Sequence, residues 1–391
     1  MIQRLKNLYH LLQAVAANAW YGFPSRKIKV IGVTGTDGKT TTTHLLYHIL
    51  TNSGKKASML STIYAKVAGD ELDTGFHVTT PSSFLVQSLI LKAVKNGDEY
   101  FILETTSHSI DQNRVWGVQF EAATVTNITH EHLDYHKTIE QYAQAKWRLI
   151  EWSKMAVVNV DDPVISKIVD SRKSIVVGLK TYSLMNRADY MIDFRKEIPN
   201  LADFNAYNYL GAYGICRQLG ISHEKIVSAL KTFTLPAGRI DIVFNKQFMV
   251  IVDFAHTPNG ITRILETVKK QYVHGKGRLI HVFGSAGLRD HSKRFAMGHA
   301  SATFADISLI TEEDYRTEDP QKIADEIGAG FEGKRYSVEL DREKAIQSAI
   351  KEAHQGDVVI ITGKGHEKSL CRGKIEYPWS DIECVKKYVS L

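Results

Sequence analysis

The stretch Lys27–Ser53, KIKVIGVTGTDGKTTTTHLLYHILTNS, decides how this chain reads. Lys27–Val33 (KIKVIGV) closes on an apolar, β-branched run, the pattern of a short buried strand. Glycine punctuation follows at once, and a helix is predicted over Thr41–Ser53, ending near Gly54. In a strand–turn–helix of this kind, glycines let backbone N–H groups face phosphate oxygens, and the helix N-terminus adds partial positive charge. Lys39 can then reach the β- and γ-phosphates, while the Thr40 hydroxyl can bind Mg²⁺. The common GxxxxGK[ST] pattern is incomplete, because its first glycine falls at Val33. Gly35, Thr36, Asp37, Gly38, Lys39, Thr40 and Thr41 are the candidate nucleotide-binding residues, with ATP as the expected ligand.

Outward from this segment, Phe101–Glu104, Ala122–Thr126 and Met155–Asn159 read as further buried strands, with helices between them, including Ile139–Trp152. Strands alternating with helices predict an α/β fold with a mostly parallel sheet covered on both faces. Leu235–Arg239 (LPAGR) is Pro/Gly punctuation, and a second βα series follows at Phe248–Asp253, Leu279–Phe283, Ile307–Thr311 and Val358–Thr362. The expected organisation is an N-terminal linker helix over 1–26, a central P-loop ATPase domain over 27–235 and a C-terminal Rossmann-like α/β domain over 236–391.

Composition narrows the class. Of 391 residues, 43% are hydrophobic and 24% charged, the balance of a soluble globular protein. The net charge of +6 is spread without a long basic run, so nucleic acid is not an expected partner. Cys216, Cys371 and Cys384 make neither a disulfide framework nor a zinc spacing, which fits a reducing cytoplasm. The opening MIQRLKNLYHLLQAVAANAW reads as an amphipathic helix rather than a signal peptide, and no membrane is expected as a partner.

A second constellation is Glu104, followed by Thr105-Thr106-Ser107-His108 at the C-terminal end of a strand. Ligands bind at that end of an open α/β sheet, and a carboxylate there suits Mg²⁺ beside nucleotide phosphates. Clustered histidines come next, His130, His132 and His136; from the residues alone they read equally as a surface loop. Lys146, in Gln141-Tyr142-Ala143-Gln144-Ala145-Lys146-Trp147, alone reads as a solvated helix lysine.

Taken together, these motifs resemble the Mur ligase family, and within it the muramyl-tripeptide synthetases, in matching order from about Pro24 to the C-terminus. The resemblance implies an ATP-dependent amide-bond ligase that forms an acyl-phosphate and joins an amino acid to a muramyl-peptide-like acceptor. It implies that Glu104 and His132 hold a second Mg²⁺, and that Lys146 is carbamylated, which needs a neutral amine and hence a lowered pKa. Thr79, Thr80 (before Pro81), Thr106, Gln112 and Arg114 match positions that hold the muramyl peptide; without the family, Thr79-Thr80-Pro81 reads as a turn. Asn205 and Asn208 match adenine-side asparagines, the latter more closely. Arg239, Asp253 and His256 match the segment near the γ-phosphate and ribose, with Phe254 where tyrosine is usual.

For the incoming amino acid, the resemblance implies Arg289 for its α-carboxylate and Arg316 for a distal carboxylate, with Gly363 and Glu367 from the last motif and a distal ammonium for Glu367. Glu313-Asp314-Tyr315 departs from the Asp-Asn-Pro of diaminopimelate-adding enzymes, so Asp314 is a candidate that could equally offset Arg316. Such synthetases also carry an N-terminal UDP-holding domain, for which a partner chain is one expected substitute. Two rival readings are a folylpolyglutamate-synthetase-like ligase and a non-catalytic nucleotide-binding subunit.

Overall fold

The computed structural model describes residues 2–72, 79–172, 178–199 and 201–389. The chain divides into two units, one of Met1–Thr129 with His136–Thr234 and one of His130–Tyr135 with Leu235–Leu391. The amphipathic opening forms a helix over Ile2–Trp20 within the first unit, and Met1 lies outside the described residues.

Among the described residues eight strands make the sheet of the first unit: β1 Lys29–Thr34, β2 Ala57–Leu60, β3 Ala65–Val67, β4 Asp70–Leu72, β5 Tyr100–Glu104, β6 Phe120–Val125, β7 Ser153–Asn159 and β8 Leu179–Tyr182. Their order is β4-β3-β2-β5-β1-β6-β7-β8, parallel from β2 to β8 and antiparallel only at the β2–β3–β4 edge. From Val30 to Thr34 every residue of β1 is buried, because helices cover both faces. Gly32 lets the Ile139–Glu151 helix pack close to the strand, since a Cβ would lie 2.9 Å from the Leu149 side chain.

From β1 the chain passes to β2 on one side, and from β6 to β7 and β8 on the other. A crevice therefore opens at the C-terminal ends of β1 and β6, the place where such sheets bind ligands. The helix after β1, Lys39–Asn52, begins with four buried threonines, Thr40–Thr43. Threonine is a mediocre helix former, so this helix exists through packing on the Asp203–Gln218 helix and the sheet rather than through propensity.

Among the described residues the main sheet of the second unit has six strands: β9 Asp241–Asn245, β10 Met249–Val252, β11 Leu279–Phe283, β12 Ile307–Ile310, β13 Ser337–Val338 and β14 Val358–Ile361. Their order β13-β12-β11-β14-β10-β9 is parallel except for β9. Here the switch point lies between β11 and β14. A hairpin of β15 Ser369–Arg372 and β16 Ile375–Pro378 completes it. No helix among the described residues is long and apolar enough to cross a membrane.

Candidate active site

In the first unit the loop between β1 and the Lys39–Asn52 helix is held from two sides. Thr36 N–H donates to Asn127 O (2.9 Å) and Asp37 N–H to Asn127 Oδ1 (2.9 Å), while Thr126 Oγ1 donates to Asp37 O (2.6 Å). Thr36 Oγ1 meets the Tyr142 hydroxyl at 3.1 Å. Two glycines stand where any side chain would be strained: a Cβ on Gly35 (φ 150°) would lie 1.8 Å from Thr126 Oγ1, and one on Gly38 (φ 82°) 2.2 Å from Asn208 Oδ1. The turn is thus a backbone concavity at a helix N-terminus, where the first N–H groups have no partner inside the helix. Thr41, in that first turn, is buried with Thr40. Lys39 Nζ curls over the loop to donate to Thr36 O at 2.8 Å.

Glu104, at the end of β5, is fully buried beside this loop. Its Oε1 accepts from Thr40 Oγ1 (3.0 Å) and Thr62 Oγ1 (2.8 Å), and its Oε2 from Thr62 N–H (2.9 Å). Among the described residues no cationic side chain forms an ion pair with it. A buried carboxylate with threonine hydroxyls beside it and no cation paired to it among the described residues offers the oxygen ligands that a hard divalent cation such as Mg²⁺ takes. The residues present fit that ion.

Lys146 is buried (1% exposed), so the solvated reading fails. Its Nζ donates to Gly35 O at 2.6 Å and lies 4.4 Å above the Tyr142 ring. The threonine cluster joins the same corner. Thr79 Oγ1 lies 3.0 Å from Thr62 Oγ1 and can donate to it, Thr80 Oγ1 donates to Glu104 O (3.1 Å) and accepts from Thr106 N–H (3.2 Å), and Arg114 Nη1 donates to Thr80 O (2.7 Å). Thr106 caps the short Ser107–Asp111 helix, and half-buried Gln112 closes it. On the far side of the loop, Asn208 Nδ2 donates to Asn205 Oδ1 (3.0 Å), and Thr42 Oγ1 approaches Asn208 Oδ1 at 3.5 Å. Asn208 therefore backs Gly38, with Asn205 fixing its amide.

His132 groups with the second unit and has φ 57°, the left-handed conformation. In that unit Asp253 braces two turns, accepting from Ile240 N–H and Ala255 N–H at 2.8 Å each. The Arg239 guanidinium stacks 4.6 Å from the Phe254 ring and donates to Gly238 O (3.1 Å), so phenylalanine at 254 keeps a packing role. His256 Nδ1 lies 2.9 Å from Phe254 O.

The β11/β14 crevice gathers the amino-acid candidates. Asp314 is buried, pairs with Lys364 Nζ (2.8 Å) and accepts from Cys371 N–H (2.9 Å), so its charge is engaged with a lysine. Lys364 also pairs with Glu367. Glu313 is buried; burial, and after it Asp314, hold its carboxyl above the usual carboxylate range. Glu313 Oε2 has no hydrogen-bond partner among the described residues and lies where a Cβ on Gly363 (φ 106°) would come within 2.8 Å. Arg316, at φ 54°, donates from Nη1 to Gly287 O (2.8 Å). That bond uses one of five guanidinium donors, and no other side-chain hydrogen bond of Arg316 occurs among the described residues. Arg289 is exposed.

Sequence reasoning passed over Thr62, Thr126 and Asn127, and quoted Tyr142 without giving it a task. The available signal was position: Thr126-Asn127 is a polar pair directly after an apolar strand, at the end where ligands bind.

Comparison with known proteins then places the chain. Residues 33–216 match the Mur ligase middle domain and residues 238–365 the Mur ligase, glutamate ligase domain. A UDP-N-acetylmuramoyl-L-alanyl-D-glutamate--2,6-diaminopimelate ligase of Aquifex aeolicus is 36% identical, over 95% of this chain and 80% of its own. The ligase of the same name from Gloeobacter violaceus is 38% identical, over 96% and 80%. A solved structure with that name superposes with a TM-score of 0.60 at 30% identity, over 93% of this chain and 78% of that one. Mycobacterium tuberculosis folylpolyglutamate synthase superposes with a TM-score of 0.72 at 16% identity, over 90% and 92%, which establishes a shared fold alone. The chain belongs to the Mur ligase family, whose members are ATP-dependent amide-bond ligases.

Proposed function

We propose that this chain activates the carboxylate of a muramyl-peptide-like acceptor as an acyl-phosphate, at the expense of ATP, and adds a diamino acid carrying a second carboxylate. The observation that carries the reading is the meeting of Lys39, Thr40, Glu104 and Lys146 around one glycine loop, at the ends of adjacent strands. Relatives named for 2,6-diaminopimelate support the substrate class. The uncommitted donors of Arg316 support it too, since a planar guanidinium suits a carboxylate and repels a lysine ammonium.

In this reading the Gly35–Thr41 turn cradles the phosphates, and Lys39 leaves Thr36 O to neutralise the γ-phosphoryl group. Thr40 and Glu104 would hold Mg²⁺, which when bound would draw charge from the transferring group; His132, on the second unit, is the further ligand that the family resemblance implies. Lys146, as a carbamate, adds negative charge next to that ion. Thr79, Thr80, Thr106, Gln112 and Arg114 position the acceptor carboxylate. Asn205 and Asn208 set the adenine side, and Arg239, Asp253 and His256 the γ-phosphate and ribose side. Arg289 takes the α-carboxylate of the amino acid and Arg316 its distal carboxylate. Gly363, Glu367 and Asp314, the last two through Lys364, shape the pocket between them.

The test is ADP release over a panel of acceptors, with and without UDP, against several diamino acids. ADP formation that requires both a γ-glutamyl acceptor and a diamino acid is the expected result. Turnover with a folate-type acceptor and glutamate alone would replace this reading with the folylpolyglutamate-synthetase one.

A further inference from the structure

The Ile2–Trp20 helix is packed the wrong way round for a helix that ends its contacts on its own chain. The face turned to the protein is polar and small. Asn7 Nδ2 donates to Asp111 O (3.1 Å), Asn18 Nδ2 donates to Trp116 O (2.8 Å), and Ala14 and Ala17 are fully buried. The face turned away carries the large apolar side chains. Leu5, Leu8, Tyr9, Leu12 and Val15 are 41–61% exposed and Trp20 is 80% exposed.

Leu5, Leu8, Leu12, Val15 and Ala19 recur at intervals of three and four residues, the a/d spacing of a two-helix seam rather than the broad stripe of a helix resting on a core. We propose that this seam is a self-association surface, occupied by the same helix of a second copy running antiparallel about a two-fold axis at Leu12.

Three features select that occupant. Charge is the first: the helix carries Lys6 near its start, no acidic residue in its first turn and no basic residue in its last. An antiparallel copy sets that cation toward the partner's C-terminal carbonyl end, where the helix dipole is negative. A parallel copy would bring like ends together. Side-chain size is the second. A two-fold at Leu12 sets Leu5 against Ala19 and Leu8 against Val15 and Ala16, so large residues face small ones along the seam. Area is the third. Covering the six exposed side chains buries on the order of 600 Å² per chain, against about 800 Å² per partner in a standard interface. The result is a reversible dimer rather than an obligate one.

The test is sedimentation equilibrium of the full chain up to roughly 0.1 mM. The wild type should form dimers. Leu12→Glu, at an exposed position that helix propensity tolerates, should weaken association about a hundredfold or more while leaving the melting temperature and ATP turnover unchanged. Because the three native cysteines are buried, oxidation reads only introduced ones. Leu12→Cys should cross-link to itself, and Leu5→Cys only to an added Ala19→Cys chain. A wild type that stays monomeric, a dimer indifferent to Leu12→Glu, or Leu5→Cys cross-linking to itself would each overturn the proposal. A monomer that co-floats with phosphatidylglycerol vesicles would also overturn it and assign the stripe to a lipid surface.

Discussion

Gly38→Ala tests how the nucleotide loop is built, because its cost can be worked from two separate sources. Gly38 has φ 82° and ψ −6°, left-handed, and an alanine there costs about 1–2 kcal/mol in backbone strain alone. The new Cβ would also stand 2.2 Å from Asn208 Oδ1, so that amide must swing away. Swinging it breaks the 3.0 Å bond from Asn208 Nδ2 to Asn205 Oδ1, a further ~1 kcal/mol for a buried neutral hydrogen bond. A total of about 2–3 kcal/mol lowers the melting temperature of the first unit by roughly 5–12 °C. Differential scanning calorimetry measures that, and Mg-ATP titration should show weakened binding in parallel. The informative comparison adds Asn208→Ala, which removes the atoms in the way. The double variant should be more stable than additivity allows by at least about 1 kcal/mol. Strict additivity, or a Gly38→Ala protein that melts like wild type, would refute the claim that Asn208 backs the loop.

Lys39→Ala should leave the fold intact, its partly buried contact to Thr36 O being worth about 1 kcal/mol; a coupled assay should find turnover abolished and Mg-ATP binding greatly weakened. Lys146→Ala should be inactive, and the rescuing agent distinguishes its two chemistries: short carboxylates restore activity if the residue works as a carbamate, short alkylamines if it works as an ammonium on Gly35 O. Arg316→Ala should lower kcat/KM for diaminopimelate tenfold to a hundredfold, the worth of a charge-assisted pair of ~1.5–3 kcal/mol, and leave lysine unaffected; steady-state kinetics with both amino acids reads the difference.

Much of the fold was legible in the chain because its central strands are buried on both faces and so run continuously apolar. The prediction for Leu279–Phe283 matches β11, and those for β1, β5, β6, β7, β10, β12 and β14 differ at their ends by one or two residues. The edges were not legible. Ala65–Val67, Asp70–Leu72, Asp241–Asn245 and the Ser369–Pro378 hairpin are short, half-polar and antiparallel, and nothing in their local pattern separates them from loops. Burial of single polar residues was equally hidden. Lys146 sits on an otherwise amphipathic helix, and the loop carbonyl and the Tyr142 ring that it meets there lie far from it in sequence or carry no local signal. Thr62 gains its place from β2, a strand not expected from sequence, and from the Glu104 carboxylate it meets. Asp314 was weighed as a counter-charge to Arg316. Its buried pairing with Lys364, fifty residues later in the chain, could be found only in three dimensions.

The central claim is that a carboxylate attacks the γ-phosphoryl group before an amine displaces the phosphate, and isotope transfer tests it most directly. With ¹⁸O in the carboxylate of the muramyl-dipeptide acceptor, ATP, Mg²⁺ and diaminopimelate, each turnover should move one ¹⁸O from the acceptor into inorganic phosphate while the new amide retains the other. Mass spectrometry of the phosphate reads this in a single experiment. Labelled phosphate, formed only when Lys39 and Glu104 are intact, is the expected result. Unlabelled phosphate accompanying amide formation would contradict the acyl-phosphate route and the assignment of the Gly35–Lys39 loop to it.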